Sequence, residues 1–189
     1  MSGDAAAMSV AGFMEWNPGD GRRWQLVDGV PVHVPLTSVT HGALWAETGT
    51  VIGNYLCHRG SAWQVVSGAG IVPRVFSDTN MRVADLSVAG APIGDDATFL
   101  SDPVAVVEIL SPEDEAETWA NVWAYTTIPS VMEILILHTS EIRADLLRRG
   151  HDGAWPDAPL AIIEGDVMLD SIGFASELRA LYRTTRLAR

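Results

Sequence analysis

The chain of 189 residues contains no lysine: all twelve basic residues are arginine, set against 24 acids, for a net charge of −12. Any mechanism that requires a lysine is excluded. The net charge also argues against avid non-specific adhesion to nucleic acid, because an acidic domain is repelled by phosphate overall. A local arginine-lined groove remains compatible with that balance. Cysteine is almost as scarce. Cys57 stands alone, which rules out an internal disulfide and a cysteine zinc site. The histidines, His33, His41, His58, His138 and His151, show no close metal-ligand pairing. No apolar stretch approaches the length of a membrane-spanning helix, and the first eight residues lack the basic start and apolar run of a signal peptide. Met8 is an alternative initiator. A soluble, reducing, cytoplasmic setting with no membrane association is expected. Repeats, linkers and low-complexity segments are also missing, and the length suits one domain over residues 1–189 with a sizeable core.

What is present is a succession of short strands and a few helices. Ser9 is placed to cap a short helix running to Trp16. Trp24–Val27 and Val30–Val34 flank Asp28-Gly29, a strong hairpin signal. Ser38 or Thr40 can cap a long helix carrying Leu44, Trp45, Val51, Ile52, Tyr55 and Leu56, which stops near Arg59-Gly60. Strands are expected at 63–66, 71–73, 82–88 and 103–110, with a loop of Gly, Pro and Asp residues before Asp102. A helix over 115–127 should end at Ile128-Pro129. After it come alternating strands at 131–138 and 141–147, then a hairpin of 160–164 with 167–169. A last helix is expected from Phe174 to about Thr184. Trp45, Trp119 and Trp123 fall at helical spacing and are expected to pack on the sheet, and Tyr125 is expected in the core. The order implies an α/β fold with a mixed central sheet flanked by helices.

Two acids interrupt this apolar pattern. Glu108 lies inside Pro103-Val104-Ala105-Val106-Val107-Glu108-Ile109-Leu110, and Asp85 inside Arg82-Val83-Ala84-Asp85-Leu86-Ser87-Val88. A buried carboxylate is normally paired or bound to a metal. Two readings are open. In one, an arginine satisfies one acid and the other sits at a strand end. In the other, neighbouring strands bring both acids onto one Mg²⁺, an ion that keeps several waters and takes oxygen ligands at about 2.0–2.1 Å. The acidic run 113–117 reads as a solvated helix start, favoured by the helix dipole.

Five segments in order resemble the Uma family, a large bacterial group described as restriction endonucleases within the PD-(D/E)xK nuclease superfamily. Gly21-Arg22-Arg23-Trp24-Gln25-Leu26-Val27-Asp28-Gly29 looks like that family's G-R-R-Y-E-L-V-D-G. Ser38-Val39-Thr40-His41-Gly42 resembles S-x-x-H-G. Asn80-Met81-Arg82-Val83-Ala84-Asp85-Leu86 is similar to N-x-R-x-P-D-L, and Val107-Glu108-Ile109-Leu110-Ser111-Pro112 to V-E-V-L-S-P. Tyr125-Thr126-Thr127-Ile128-Pro129-Ser130-Val131-Met132-Glu133 resembles Y-x-x-I-P-S-x-x-E.

The resemblance implies a restriction-endonuclease-like fold, DNA as partner, a homodimer, and Mg²⁺ (or Mn²⁺) held by Asp85 and Glu108. Three departures bear on it. The proline before the aspartate is Ala84. Gln25 replaces a glutamate, so it would assist the metal through a neutral oxygen. Leu110 occupies the E-x-K lysine position; the family's lysine moves to the following helix, where this chain has Asn121. Asparagine can hydrogen-bond a water and so place it, but it brings no cation. Arg82 is a candidate to compensate. His41 is either a site residue at a helix N-terminus or a capping and packing residue. Two functional classes follow: a Mg²⁺-dependent endodeoxyribonuclease with Asp85, Glu108 and Asn121 catalytic, or a nuclease-fold protein that has lost cutting and serves as a binding or interaction module.

Overall fold

A computed structural model describes residues 7–35, 37–90, 93–94, 97 and 99–189. Most of the N-terminal segment read for targeting, and part of the Gly-Pro-Asp loop before Asp102, lie outside the described residues. Helix α1 (Val10–Glu15) is capped by the Ser9 hydroxyl, which accepts from Gly12 N–H. Strands β1 (Trp24–Val27) and β2 (Val30–His33) form the expected hairpin. Asp28 and Gly29 both take positive φ, +49° and +78°, as a type I′ turn requires. Ser38 then caps the long α2 (Val39–His58) by accepting from His41 N–H.

The main sheet contains β3 (Trp63–Ser67), β6 (Leu86–Gly90), β8 (Pro103–Leu110), β9 (Glu133–His138), β10 (Ala144–Arg148) and β11 (Leu160–Ile162). Their order across it is β11-β10-β9-β8-β6-β3, antiparallel except for the central β8/β9 pair. That parallel pair needs a crossover, which α3 (Glu115–Tyr125) supplies. A small sheet of β4 (Gly70–Ile71), β5 (Arg82–Val83) and β7 (Phe99–Leu100) lies alongside.

Alternation along β8 divides the core into two layers. Ala105, Val107 and Ile109 pack with Leu44, Ile52 and Leu56 of α2 and with Leu178, Leu181 and Tyr182 of α4 (Leu178–Tyr182). Val106 and Leu110 pack on the opposite layer with Val122 and Tyr125 of α3 and with Ile134 and Ile136 of β9. Glu108 shares the parity of this second set, so its side chain enters the layer under α3. Trp45 and Trp119 pack against the core as expected, but Trp123 is exposed and stacks on Trp119 at 6.2 Å between ring centroids.

Several expectations are corrected. Asp85 lies not within a strand but at the bend between β5 and β6, where the chain leaves the small sheet for the large one. Its carbonyl accepts from Gly68 N–H at 3.0 Å. β10 begins at Ala144 rather than 141, because a wide turn is pinned by the buried Tyr182 hydroxyl; this donates to the Arg143 carbonyl at 2.6 Å and accepts from His138 N–H at 3.0 Å. The 160–169 hairpin does not form. β11 extends the main sheet beside β10, and β12 (Asp166–Leu169) pairs with β13 (Phe174–Glu177) across a 3-10 turn at Asp170–Ile172. Residues 174–177 are therefore strand, and the last helix starts only at Leu178. In each case long-range pairing and packing overrode the local pattern.

Glu133 shows what the I-P-S-x-x-E segment does structurally. Buried at the start of β9, it accepts from Asp170 N–H at 3.0 Å, from Ser171 N–H at 2.9 Å and from Arg148 Nε at 2.7 Å. Its carboxylate thus ties β9 to the turn between β12 and β13. Removing one partner of a buried charged network typically costs about 3–5 kcal/mol. Glu133→Ala should therefore lower the urea midpoint by an amount equivalent to a cost of that order, with Glu133→Gln intermediate, in equilibrium unfolding monitored by tryptophan fluorescence.

Candidate functional site

A cavity of about 70 Å³ opens where the β1/β2 hairpin, the start of α2, the β5–β6 bend, β8 and α3 converge. Its walls include Gln25, His41, Asp85, Glu108, Asp114, Glu117 and Asn121. A water needs about 10–15 Å³ of such space, so the cavity suits a small hydrated ion and the tip of a ligand. Gln25, His41, Asp85, Glu108 and Asn121, all named from the sequence, reach this one place, while Arg82 lies behind it. Asp114 and Glu117 reach it too, although the acidic run reads as a solvated helix start. The available signal was their position directly after the Glu108 strand, which sends the first turn of α3 back over Glu108.

The acids are held differently. Asp85 is fixed at both oxygens: Oδ1 lies 2.9 Å from His41 Nε2, and Oδ2 accepts from Ile109 N–H at 2.9 Å. The latter contact bridges from the bend to the strand bearing Glu108. His41 thus joins two roles, since its backbone N–H is capped by Ser38 while its ring steadies Asp85. Glu108 is almost wholly buried, and its Oε1 has no hydrogen-bond partner among the described residues. Desolvation first, and then the charge of Asp85, hold the Glu108 carboxyl well above the usual carboxylate range; the neighbouring Tyr125 phenol opposes them. That phenol is itself buried without a well-formed hydrogen bond, and burial and Glu108 push its pKa up in turn.

The remaining polar groups are engaged with one another. Gln25 Nε2 donates to Glu117 Oε1 at 2.7 Å, and its Oε1 has one long contact, from Val83 N–H at 3.4 Å. Arg82, buried behind the cavity, donates from Nη1 to Asn121 Oδ1 at 3.2 Å and from Nη2 to Asn80 Oδ1 at 3.0 Å. Desolvation lowers the pKa of this guanidinium, offset in part by Tyr125, Asp28 and Glu117, yet an arginine in a protein stays charged.

This donor set suits a hard divalent cation, since the lining acids offer oxygen ligands alone and Glu108 has an orphaned oxygen. Among the described residues no group of three or more His, Cys, Asp or Glu is assembled for a metal. No helix among the described residues is long and apolar enough to cross a membrane.

Comparison with known proteins agrees with this architecture. A crystal structure described as "a putative nuclease belonging to DUF820", from Anabaena variabilis, superposes with a TM-score of 0.75 at 15% identity, covering 93% of this chain and 98% of that one. An uncharacterised protein of Synechocystis sp., slr1290, is 24% identical over 183 residues, 93% of this chain and 92% of the relative. Residues 10–178 match the model of the Uma2 family, described as "Putative restriction endonuclease". From an apolar strand broken by one buried glutamate to the match across its length, the chain belongs to the Uma2 family.

Proposed function

We propose that this protein is a Mg²⁺-dependent DNA endonuclease, with Mn²⁺ as an alternative ion, in which Asp85 and Glu108 hold the metal and Asn121 stands in place of the family lysine. The observation that carries the reading is the pair Asp85/Glu108. Two carboxylates converge in one cavity, one of them buried with an orphaned oxygen, and among the described residues no arginine lines it. Leaving such a pair ionised and unneutralised costs several kcal/mol. A bound divalent ion would remove that cost. The nuclease family and fold support the same reading.

The residues divide the work. His41 and Ile109 N–H orient Asp85, leaving lone pairs on both its oxygens for a ligand. Glu108 lines the same cavity and has one oxygen without a partner among the described residues. Gln25 lines the cavity, braces Glu117, and holds its Oε1 by one long contact, so this oxygen would assist the metal as a neutral ligand. The chemistry that Mg²⁺ or Mn²⁺ supplies when bound is polarisation of the phosphodiester and activation of water near neutral pH.

A second reading, a nuclease fold that binds without cutting, is favoured by one observation: the chain has no lysine, and Asn121 stands where the family resemblance implies one. Plasmid and single-stranded DNA cleavage distinguishes the two. In Mg²⁺ or Mn²⁺ the wild type should cut, while Asp85→Asn and Glu108→Gln fall to background. Asn121→Lys should raise the rate, since one preorganised donor is typically worth about 10²–10³. No cutting by the wild type in either metal would leave the second reading in place.

Unfolding against pH tests Glu108 separately. Its raised native pKa means that the metal-free folded state keeps this proton above the unfolded glutamate value of about 4.3. Stability from this group is therefore full below that value, declines as pH rises toward the native pKa, and then levels off. Glu108→Gln should abolish that decline and match or exceed wild-type Tm at pH 7 in EDTA. Added MgCl₂ should raise Tm for the wild type and not for Glu108→Gln.

A further inference from the structure

We infer that Asn121 presents its amino group to the cavity, held so by the buried Arg82, and that Nδ2 donates a hydrogen bond to an anionic oxygen of a bound phosphodiester. This rests on the phosphodiesterase reading above and assigns the role of one residue within it. A guanidinium has five N–H donors and no acceptor. With Arg82 Nη1 at 3.2 Å, the atom of Asn121 that faces it must be the oxygen, because the opposite rotamer would set two donors against each other.

Arg82 cannot easily yield, being held from behind. Its Nη2 donates to Asn80 Oδ1, and Asn80 is itself fixed by donating from Nδ2 to Asp28 Oδ1 at 2.9 Å and accepting from Asp28 N–H at 3.1 Å. The chain of contacts runs from the Asp28 turn, through Asn80 and Arg82, to Asn121. Both Arg82 and Asn121 are only 7% exposed. Asn121 lines the cavity and Arg82 does not. Asn121 Nδ2 has no hydrogen-bond partner among the described residues.

The consequence is chemical. The acids around the cavity offer acceptors, so the Asn121 amino group is a donor aimed into a field of carboxylates. Its natural complement is an additional negative oxygen brought in by a ligand. Arg82 withdraws electron density through the shared Oδ1, which strengthens the donor on the far side of the amide. A cation is thus present one hydrogen bond behind the surface where the family places a lysine.

The test uses the full chain at saturating Ca²⁺, an oxygen-preferring ion. The probes are a thymidine dinucleotide with a phosphodiester linkage and its methylphosphonate counterpart, which lacks one anionic oxygen. Wild type should prefer the phosphodiester. Asn121→Asp keeps an acceptor and the Arg82 contact but loses the donor; it should bind the phosphodiester about tenfold or more weakly, as expected for a hydrogen bond to a charged group, with little change for the methylphosphonate. Arg82→Met should lower the preference ratio, a readout that mere loss of stability would not move.

A ligand-free measurement stands beside these. The Asn121 side-chain NH₂ signals, identified by their loss in Asn121→Asp, should exchange rapidly with water; strong protection would overturn the orientation. If the phosphodiester binds and Asn121→Asp binds it equally well, the inference falls and the phosphodiesterase reading survives. If neither dinucleotide binds the wild type, both fall.

Discussion

The desolvation of one carboxylate governs this structure. Glu108 sits in the middle of the central strand β8, flanked on its own face by Val106 and Leu110 and roofed by α3, where little of it meets solvent. A neighbouring charge makes matters worse, since Asp85 is brought against the same strand by its bond to Ile109 N–H. Such a group must take a proton or acquire a cation. Burying a leucine there instead would contribute about 1.5–3 kcal/mol, so a fold selected for stability alone has no use for it.

The surroundings of Glu108 follow from this constraint. The β5–β6 bend delivers Asp85, the capped start of α2 delivers His41 to steady it, and the first turn of α3 brings Asp114 and Glu117 over the opening. Four carboxyl groups and two engaged amides line this mouth in a chain that is acidic overall. The chain contains no lysine to set against these acids. Arg82 is the nearest replacement, but it is set back behind Asn121 and bonded to Asn80, so its influence passes through an amide. That arrangement sets a fixed amide dipole, backed by a buried guanidinium, at the cavity wall.

Much of the architecture was legible from local chemistry. Asp28-Gly29 specified its turn because few other pairs tolerate two positive φ values in succession. Ser9 and Ser38 marked helix starts through the hydroxyls that now accept from Gly12 and His41. Glu108 and Asp85 stood out because a charge in an apolar strand is expensive, and the structure puts them together. The acidic run 113–117 misled because a helix N-terminus favours acids whether or not they face a site.

The sequence by itself determined the element types wherever the decisive interaction lies within a few residues: caps, tight turns, apolar alternation, and the two acids that break it. Only the tertiary structure decided which strand pairs with which. β11 joined β10 and β12 joined β13, because an open edge of the main sheet and the buried anchor at Glu133 outweighed a single Gly165-Asp166 turn. It also decided which way Asn121 points. That depends on a guanidinium 39 residues earlier, and such a contact leaves no periodic trace in the chain.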